Sequence, residues 1–123
     1  MVRTPALFDT CILIDYLRAI PDARSVCDRY SDRAISIITW MEVMAGATIA
    51  NEADARAFLL NFYTLPLTPE IAELSVTIRK SRGIKLPDAI IQATAEAAGR
   101  ILLTRNTRDF PPGTPGIQIP YTV

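Results

Sequence analysis

Four carboxylates stand where a chain of alternating strands and helices would carry chemistry. Asp9 ends the apolar run Ala6-Leu7-Phe8, and Glu42 lies in the first helical turn after the Ile-rich run Ala34 to Ile38. Asp88 opens the helix begun at Leu86-Pro87, and Asp109 follows the apolar run Ile101-Leu102-Leu103-Thr104. Ligands of open α/β sheets bind beyond the carboxyl ends of the strands, so acids just after a strand or at a nearby helix start are the ones that matter. Each has an ordinary reading when taken alone: Asp9 caps a helix, Glu42 completes a capping box with Thr39, Asp88 complements a helix dipole, and Asp109 sits in a turn. Four carboxylates converging on one sheet edge repel one another unless a cation sits among them, and hard oxygen ligands select Mg²⁺ or Mn²⁺ over zinc or copper. Such a cation activates water and offsets charge in an in-line displacement, and the matching reaction is phosphodiester hydrolysis.

The chain has no histidine, which removes imidazole bases, His-ligated zinc and His-dependent triads together. Carboxylates must carry any acid, base or metal chemistry. The 13 basic residues balance the 13 acidic ones, so no field of the whole molecule holds nucleic acid nonspecifically. An RNA partner needs a local patch or a metal.

The elements that must position these acids follow from caps and breakers. Asp9-Thr10 stops the first strand and starts a helix from Cys11 to Arg18, and Pro21-Asp22 starts a second reaching Tyr30. Ala34 to Ile38 reads as a strand, with Thr39-Trp40-Met41-Glu42 as a capping box opening a helix to about Ala50. Asn51 opens the next helix, and Tyr63 to Leu67 is an edge strand because Pro66 cannot donate to a ladder. Thr68-Pro69 starts a strong helix that Gly83 stops, Leu86-Pro87-Asp88 starts an Ala-rich one closed by Gly99, and Ile117-Gln118-Ile119 is the last strand. Alternation of this kind implies right-handed βαβ units on a parallel sheet.

At 123 residues, with 50% hydrophobic and 21% charged, the chain is expected to form one globular domain over residues 1–123. Cys11 and Cys27 make no Cys-x-x-Cys pair or disulfide framework, and they read as small buried hydrophobes. No apolar run reaches the length that crosses a bilayer, and the chain is read as cytoplasmic.

The segments Leu7-Phe8-Asp9-Thr10-Cys11-Ile12-Leu13-Ile14-Asp15, Thr39-Trp40-Met41-Glu42, Leu86-Pro87-Asp88-Ala89-Ile90-Ile91 and Thr104-Arg105-Asn106-Thr107-Arg108-Asp109-Phe110, in this order and spacing, resemble the PIN-domain family. They are most similar to its VapC-type toxins of type II toxin–antitoxin pairs. The resemblance spans essentially the whole chain. It implies a three-layer α/β/α fold with a mainly parallel sheet of about five short strands. It also implies a Mg²⁺- or Mn²⁺-dependent endoribonuclease in which Asp9, Glu42, Asp88 and Asp109 are the catalytic, metal-holding quartet. Thr10, Thr39 and Asn106 would be the positions that orient ligands or water. Asn106 departs from the commoner Asp of this family, so one tightly held metal is expected, with a second bound weakly or only with RNA. A homodimer and a cognate VapB-type antitoxin are the implied partners, with no membrane.

Arg105 and Arg108, close to Asp109, are the candidates to grip RNA phosphates. Arg79, Lys80, Arg82 and Lys85 are read as a solvated helix end, and Asp15 with Arg18 as a surface pair. Trp40, Met41 and Met44 are read as core, with a share free to line a groove for a partner helix. A phosphoryl-accepting receiver domain fails because neither Lys80 nor Lys85 follows a strand, and an Asp-nucleophile phosphatase fails because Cys11 stands where a second acid is needed. The remaining alternative is a PIN-like module that binds RNA or a partner without cutting.

Overall fold

A computed structural model describes residues 1–122. Five strands, β1 (Ala6–Phe8), β2 (Arg33–Ser36), β3 (Tyr63–Leu65), β4 (Ile101–Leu103) and β5 (Ile117–Gln118), form one sheet in the order β3-β2-β1-β4-β5. Every neighbouring pair is parallel, with Ala6 opposite Arg33 on one side and Ile101 on the other. Parallel neighbours need crossovers, and six helices supply them: α1 (Thr10–Leu17), α2 (Pro21–Arg29), α3 (Ile37–Ala45), α4 (Glu52–Leu59), α5 (Pro69–Arg82) and α6 (Leu86–Ala97).

The period-2 alternation of the strands sorts the core into two layers. Ala6, Phe8, Ile35 and Leu103 point to the side covered by α1, α2 and α4, where Phe8 meets Tyr30 and Phe62 edge to face. Leu7, Ala34 and Leu102 point to the other side, under α5 and α6. The result is the expected three-layer α/β/α architecture. Strand order runs outward from β1 through β2 to β3, then crosses back to β4, so the switch point lies between β1 and β4. Their carboxyl ends carry Asp9 and the segment leading to Asp109.

Helix starts follow the chemistry of their caps. Thr68 Oγ1 accepts from the Ile71 N–H at 3.2 Å with Pro69 in the first turn, and Gly83 ends α5 at φ 70°, a left-handed backbone that a Cβ would strain. α3 departs from expectation: Ile37 and Ile38 are helical, and Ser36 is the cap, its Oγ accepting from the Ile38 N–H at 3.1 Å. Thr39 and Glu42 therefore lie inside the helix, no capping box forms, and α3 stops at Ala45 rather than near Ala50. β3 is an exposed edge as read, but it ends at Leu65, before Pro66. Among the described residues no helix is long and apolar enough to cross a membrane.

Candidate active site

Asp9 sits at the centre of the site because β1 ends there and α1 begins. Its Oδ1 accepts from the Thr10 N–H at 2.8 Å, and its Oδ2 accepts from the Thr104 hydroxyl at 2.6 Å and the Cys11 thiol at 3.5 Å. The carboxylate is 4% exposed, and this burial pushes its pKa up against the pull of the Thr104 hydrogen bond. The ordinary reading as a helix cap holds in part, since Asp9 is the α1 N-cap, but one oxygen is spent on the first helical N–H and the other faces the end of β4.

Glu42 reaches the same place from α3. Thr10 Oγ1 donates to Glu42 Oε1 at 2.8 Å and lies 2.9 Å from Thr39 Oγ1. A hydroxyl has one proton, so Thr10 gives it to Glu42 and accepts from Thr39. Thr39 and Glu42, three apart on α3, share the face that meets Thr10. Freed from capping, Glu42 is exposed, with its carboxylate oriented by a buried hydroxyl relay.

On the β4 side, residues 104–106 leave the sheet without regular structure. Asn106 Nδ2 donates to Asp109 Oδ2 at 2.9 Å while its Oδ1 accepts from the Asp109 N–H at 3.3 Å, a reciprocal pair that closes the turn. Phe110, fully buried in the second core layer, pins the turn beneath. Arg82 stacks on the Phe110 ring and donates to Gln92 Oε1 and to the Asp109 carbonyl. Arg82, expected in a solvated helix end, is thus a brace.

Asp88, half-buried in the first turn of α6, has its pKa pushed up to about 6, first by burial and then by the charges of Asp9, Asp109 and Glu42. Asp88 is therefore near enough to the other three acids to feel their charges. Among the described residues no three carboxylate or thiol groups close directly around a single point. The donors that Asp9, Glu42, Asp88 and Asp109 offer are hard carboxylate oxygens, the type that Mg²⁺ and Mn²⁺ take. The residues fit a divalent ion of this kind.

Arg105 does something other than expected. Its guanidinium forks onto Asp15, with Nη2 3.0 Å from Oδ1 and Nε on Oδ2. Asp15 is 1% exposed, so the surface pair with Arg18 is replaced by a buried pair with Arg105. The fork's use there removes Arg105 as a free phosphate grip. Arg108 is exposed and makes no ion pair among the described residues. Cys27 is buried as read; Cys11 is only partly so, and burial with Asp9 alongside pushes its thiol up to about 12. Sequence reasoning missed Thr104, Asp15, Arg82 and Tyr121 as parts of this end of the sheet. The one signal at hand was Asp15, an acid set between the apolar residues Ile12-Leu13-Ile14 and Tyr16-Leu17.

A cavity of about 380 Å³ opens beside Glu42, between α1, α3 and α4, lined by Ile14, Leu17, Arg18, Val43 and Ala47 among others. Trp40 and Met44 pack half-buried on the first core layer, while Met41 is exposed.

A match to the PIN domain spans residues 6–111. The chain is 32% identical over 124 residues to Ribonuclease VapC19 of Mycobacterium tuberculosis (strain ATCC 25618 / H37Rv), covering 94% of this chain and 98% of that relative. Its fold is similar to a chain of a toxin–antitoxin complex from Klebsiella pneumoniae, with TM-score 0.91 and 45% identity over 96% of this chain and 99% of that one. It is also similar to a chain of DNA-bound VapBC from Salmonella typhimurium, with TM-score 0.77 and 26% identity over 94% and 96% of the two chains. With four acids at the β1/β4 switch point and these likenesses across nearly the full length, the chain belongs to the PIN-domain family, among its VapC-type members.

Proposed function

We propose that this protein is the toxin of a VapBC-type pair, an endoribonuclease that hydrolyses RNA phosphodiester bonds with Mg²⁺ or Mn²⁺. The observation that carries the reading is the gathering of acids at the β1/β4 switch point: Asp9 is bonded to Thr104 at 2.6 Å, Glu42 to Thr10 at 2.8 Å and Asp109 to Asn106 at 2.9 Å, with no ion pair to any of them among the described residues. Like charges kept together in a fold that holds its other buried acid on an arginine are what a cation site requires. Asp9, Asp88, Asp109 and Glu42 would hold the ion. When bound, a divalent cation lowers the pKa of a water and offsets charge on the phosphodiester during in-line displacement. Thr10 and Thr39 fix the direction of Glu42, which can accept a proton from a water on its exposed side. Asn106 holds Asp109 in place through its amide, and Arg108, exposed beside it, is the guanidinium free to grip a phosphate.

The cavity beside Glu42 would take an apolar segment of the cognate antitoxin, covering the acids while the pair is intact. A homodimer is the expected assembly of the toxin. The Klebsiella relative, in a toxin–antitoxin complex, and the Salmonella relative, in DNA-bound VapBC, support the partner reading.

Purified protein should cut RNA with Mg²⁺ or Mn²⁺, stop with EDTA, and be silenced by Asp9→Asn. Cutting that persists in EDTA and survives Asp9→Asn would refute the reading, and RNA binding with no cutting under any divalent ion would leave a binding module instead.

A further inference from the structure

The geometry points to Asp15, Arg105 and Tyr121 as positioning residues that hold the Thr104–Asn106 segment in place, so that Thr104 stays on Asp9 and Asn106 stays on Asp109. This deepens the nuclease reading and rests on it. α1 presents Cys11 and Asp15, four apart, on one face, and that face meets residues 104 and 105. Cys11 Sγ lies 3.7 Å from Thr104 Oγ1, and Asp15 takes the Arg105 fork. The residues flanking Arg105 hold the site acids: Thr104 on Asp9 at 2.6 Å, and Asn106 on Asp109 at 2.9 Å. Asn106 N–H also donates to Thr104 Oγ1 at 3.0 Å, so the two ends of the tripeptide are linked.

Among the described residues no ladder hydrogen bond fixes this segment beyond Thr104, whose N–H donates to Gln118 C=O. A bidentate fork fixes orientation as well as distance, which a single contact does not. The Tyr121 hydroxyl donates to Asp15 Oδ2 at 2.7 Å and completes the carboxylate's partners. Arg105 and Tyr121 together hold the Asp15 carboxyl below its ordinary range, so it stays ionised for the fork. The Arg100–Asp32 pair at the other end of the sheet, 2.7 Å apart, ties backbone to side chain with no link to a site acid. It is an internal control.

The test compares Asp15→Asn, Arg105→Lys, Tyr121→Phe and, as control, Arg100→Lys, measuring kcat and KM on an RNA that the wild type cuts and the dissociation constant for Mn²⁺ by calorimetry. Loss of an outer partner of a metal site costs about 10–100-fold. Asp15→Asn and Arg105→Lys should lose kcat by that range with KM nearly fixed and should bind Mn²⁺ more weakly; Tyr121→Phe should move both readouts the same way by a few-fold. Arg100→Lys should lower the melting temperature alone. Should Asp15→Asn fail to fold, Tyr121→Phe, which removes one hydroxyl, carries the test. Variants that melt lower yet keep wild-type kcat and Mn²⁺ affinity would overturn the proposal. So would a rise in KM confined to Arg105→Lys, which would make Arg105 a phosphate contact. A wild type that neither cuts RNA nor binds Mn²⁺ would sink the nuclease reading and the positioning role with it, whereas a working wild type with indifferent variants sinks the positioning role alone.

Discussion

The two ends of the parallel sheet treat charge in opposite ways. At the amino ends of the strands, Asp32 is matched by Arg100, whose guanidinium also donates to the carbonyls of Ala6 and Asp32. At the carboxyl ends, Asp9, Glu42 and Asp109 take hydroxyls, one amide and backbone N–H groups as partners, Asp88 is near enough to feel their charges, and arginines are kept for supports: Arg105 on Asp15 and Arg82 on Gln92. Charges that hold the fold are neutralised, and charges that could hold a ligand are left to repel. The difference predicts which substitutions trade stability against activity and which remove stability only.

The largest effect is expected from Asp9→Asn. An amide of the same shape can still accept from Thr10 N–H and can donate to Thr104 Oγ1, so the fold survives while one buried charge disappears. Activity should fall by more than about a hundredfold, beyond what loss of an outer partner costs. The metal-free protein should become more stable near pH 7 by about 1 kcal/mol, read as a higher melting temperature in EDTA. A melt below that of wild type would place Asp9 with the fold-holding charges instead.

At the opposite end, Arg100→Ala should cost about 1 kcal/mol, because it leaves the partly exposed Asp32 carboxylate without its donor. Denaturant unfolding measures this. Cleavage per folded molecule should be unchanged, since no site acid touches Arg100.

The pH dependence of stability separates the two ends without mutation. Asp88 titrates near 6 in the folded protein and near 3.9 when unfolded, so between these values the native state holds more protons. Its contribution is nil below the unfolded value and becomes destabilising as pH rises, complete above about 6. Half-exposure and screening reduce the full linkage to about 1–2 kcal/mol. Melts of the metal-free protein should therefore fall from pH 5 to pH 7, and saturating Mn²⁺ should remove the slope while adding about 2.7 kcal/mol at a hundredfold excess over Kd. A metal-free protein equally stable at both pH values would show that Asp88 is not crowded by its neighbours.

Local signals made much of this fold and site legible, and long-range partners account for the rest. The apolar run ending at Asp9, Pro69 and Gly83 bounding α5, and Leu86-Pro87 opening α6 each act within a turn or two, and the structure follows them. Ile37 and Ile38 mislead because β-branched residues read as strand, whereas the Ser36 cap turns them into the first turn of α3. Asp15 misleads for a different reason. An i, i+3 rule offers Arg18 as its partner, while the fork that takes it comes from Arg105, across the sheet switch point and with no local trace. The same fork makes Arg105 a support of the β4 segment.

Asn106 is the finest discriminator between the ends, because among the described residues it is the one neutral side chain bonded to the Asp109 carboxylate. Asn106→Asp keeps an oxygen for the Asp109 N–H but replaces the amide donor to Asp109 Oδ2 with a second carboxylate, 2.9 Å being the present separation of donor and acceptor. A hydrogen bond gives way to repulsion between like charges, so the metal-free protein should lose about 1 kcal/mol near pH 7. A cation offsets that repulsion, and divalent affinity at this position should rise by about fivefold, equivalent to about 1 kcal/mol. Two binding events should then be resolved by Mn²⁺ calorimetry in the variant, against one tight site expected in the wild type. Two equally tight sites in the wild type would show that the amide does not limit the second ion. Unchanged stability in EDTA would show that the amide of Asn106 does not relieve charge crowding at this end of the sheet.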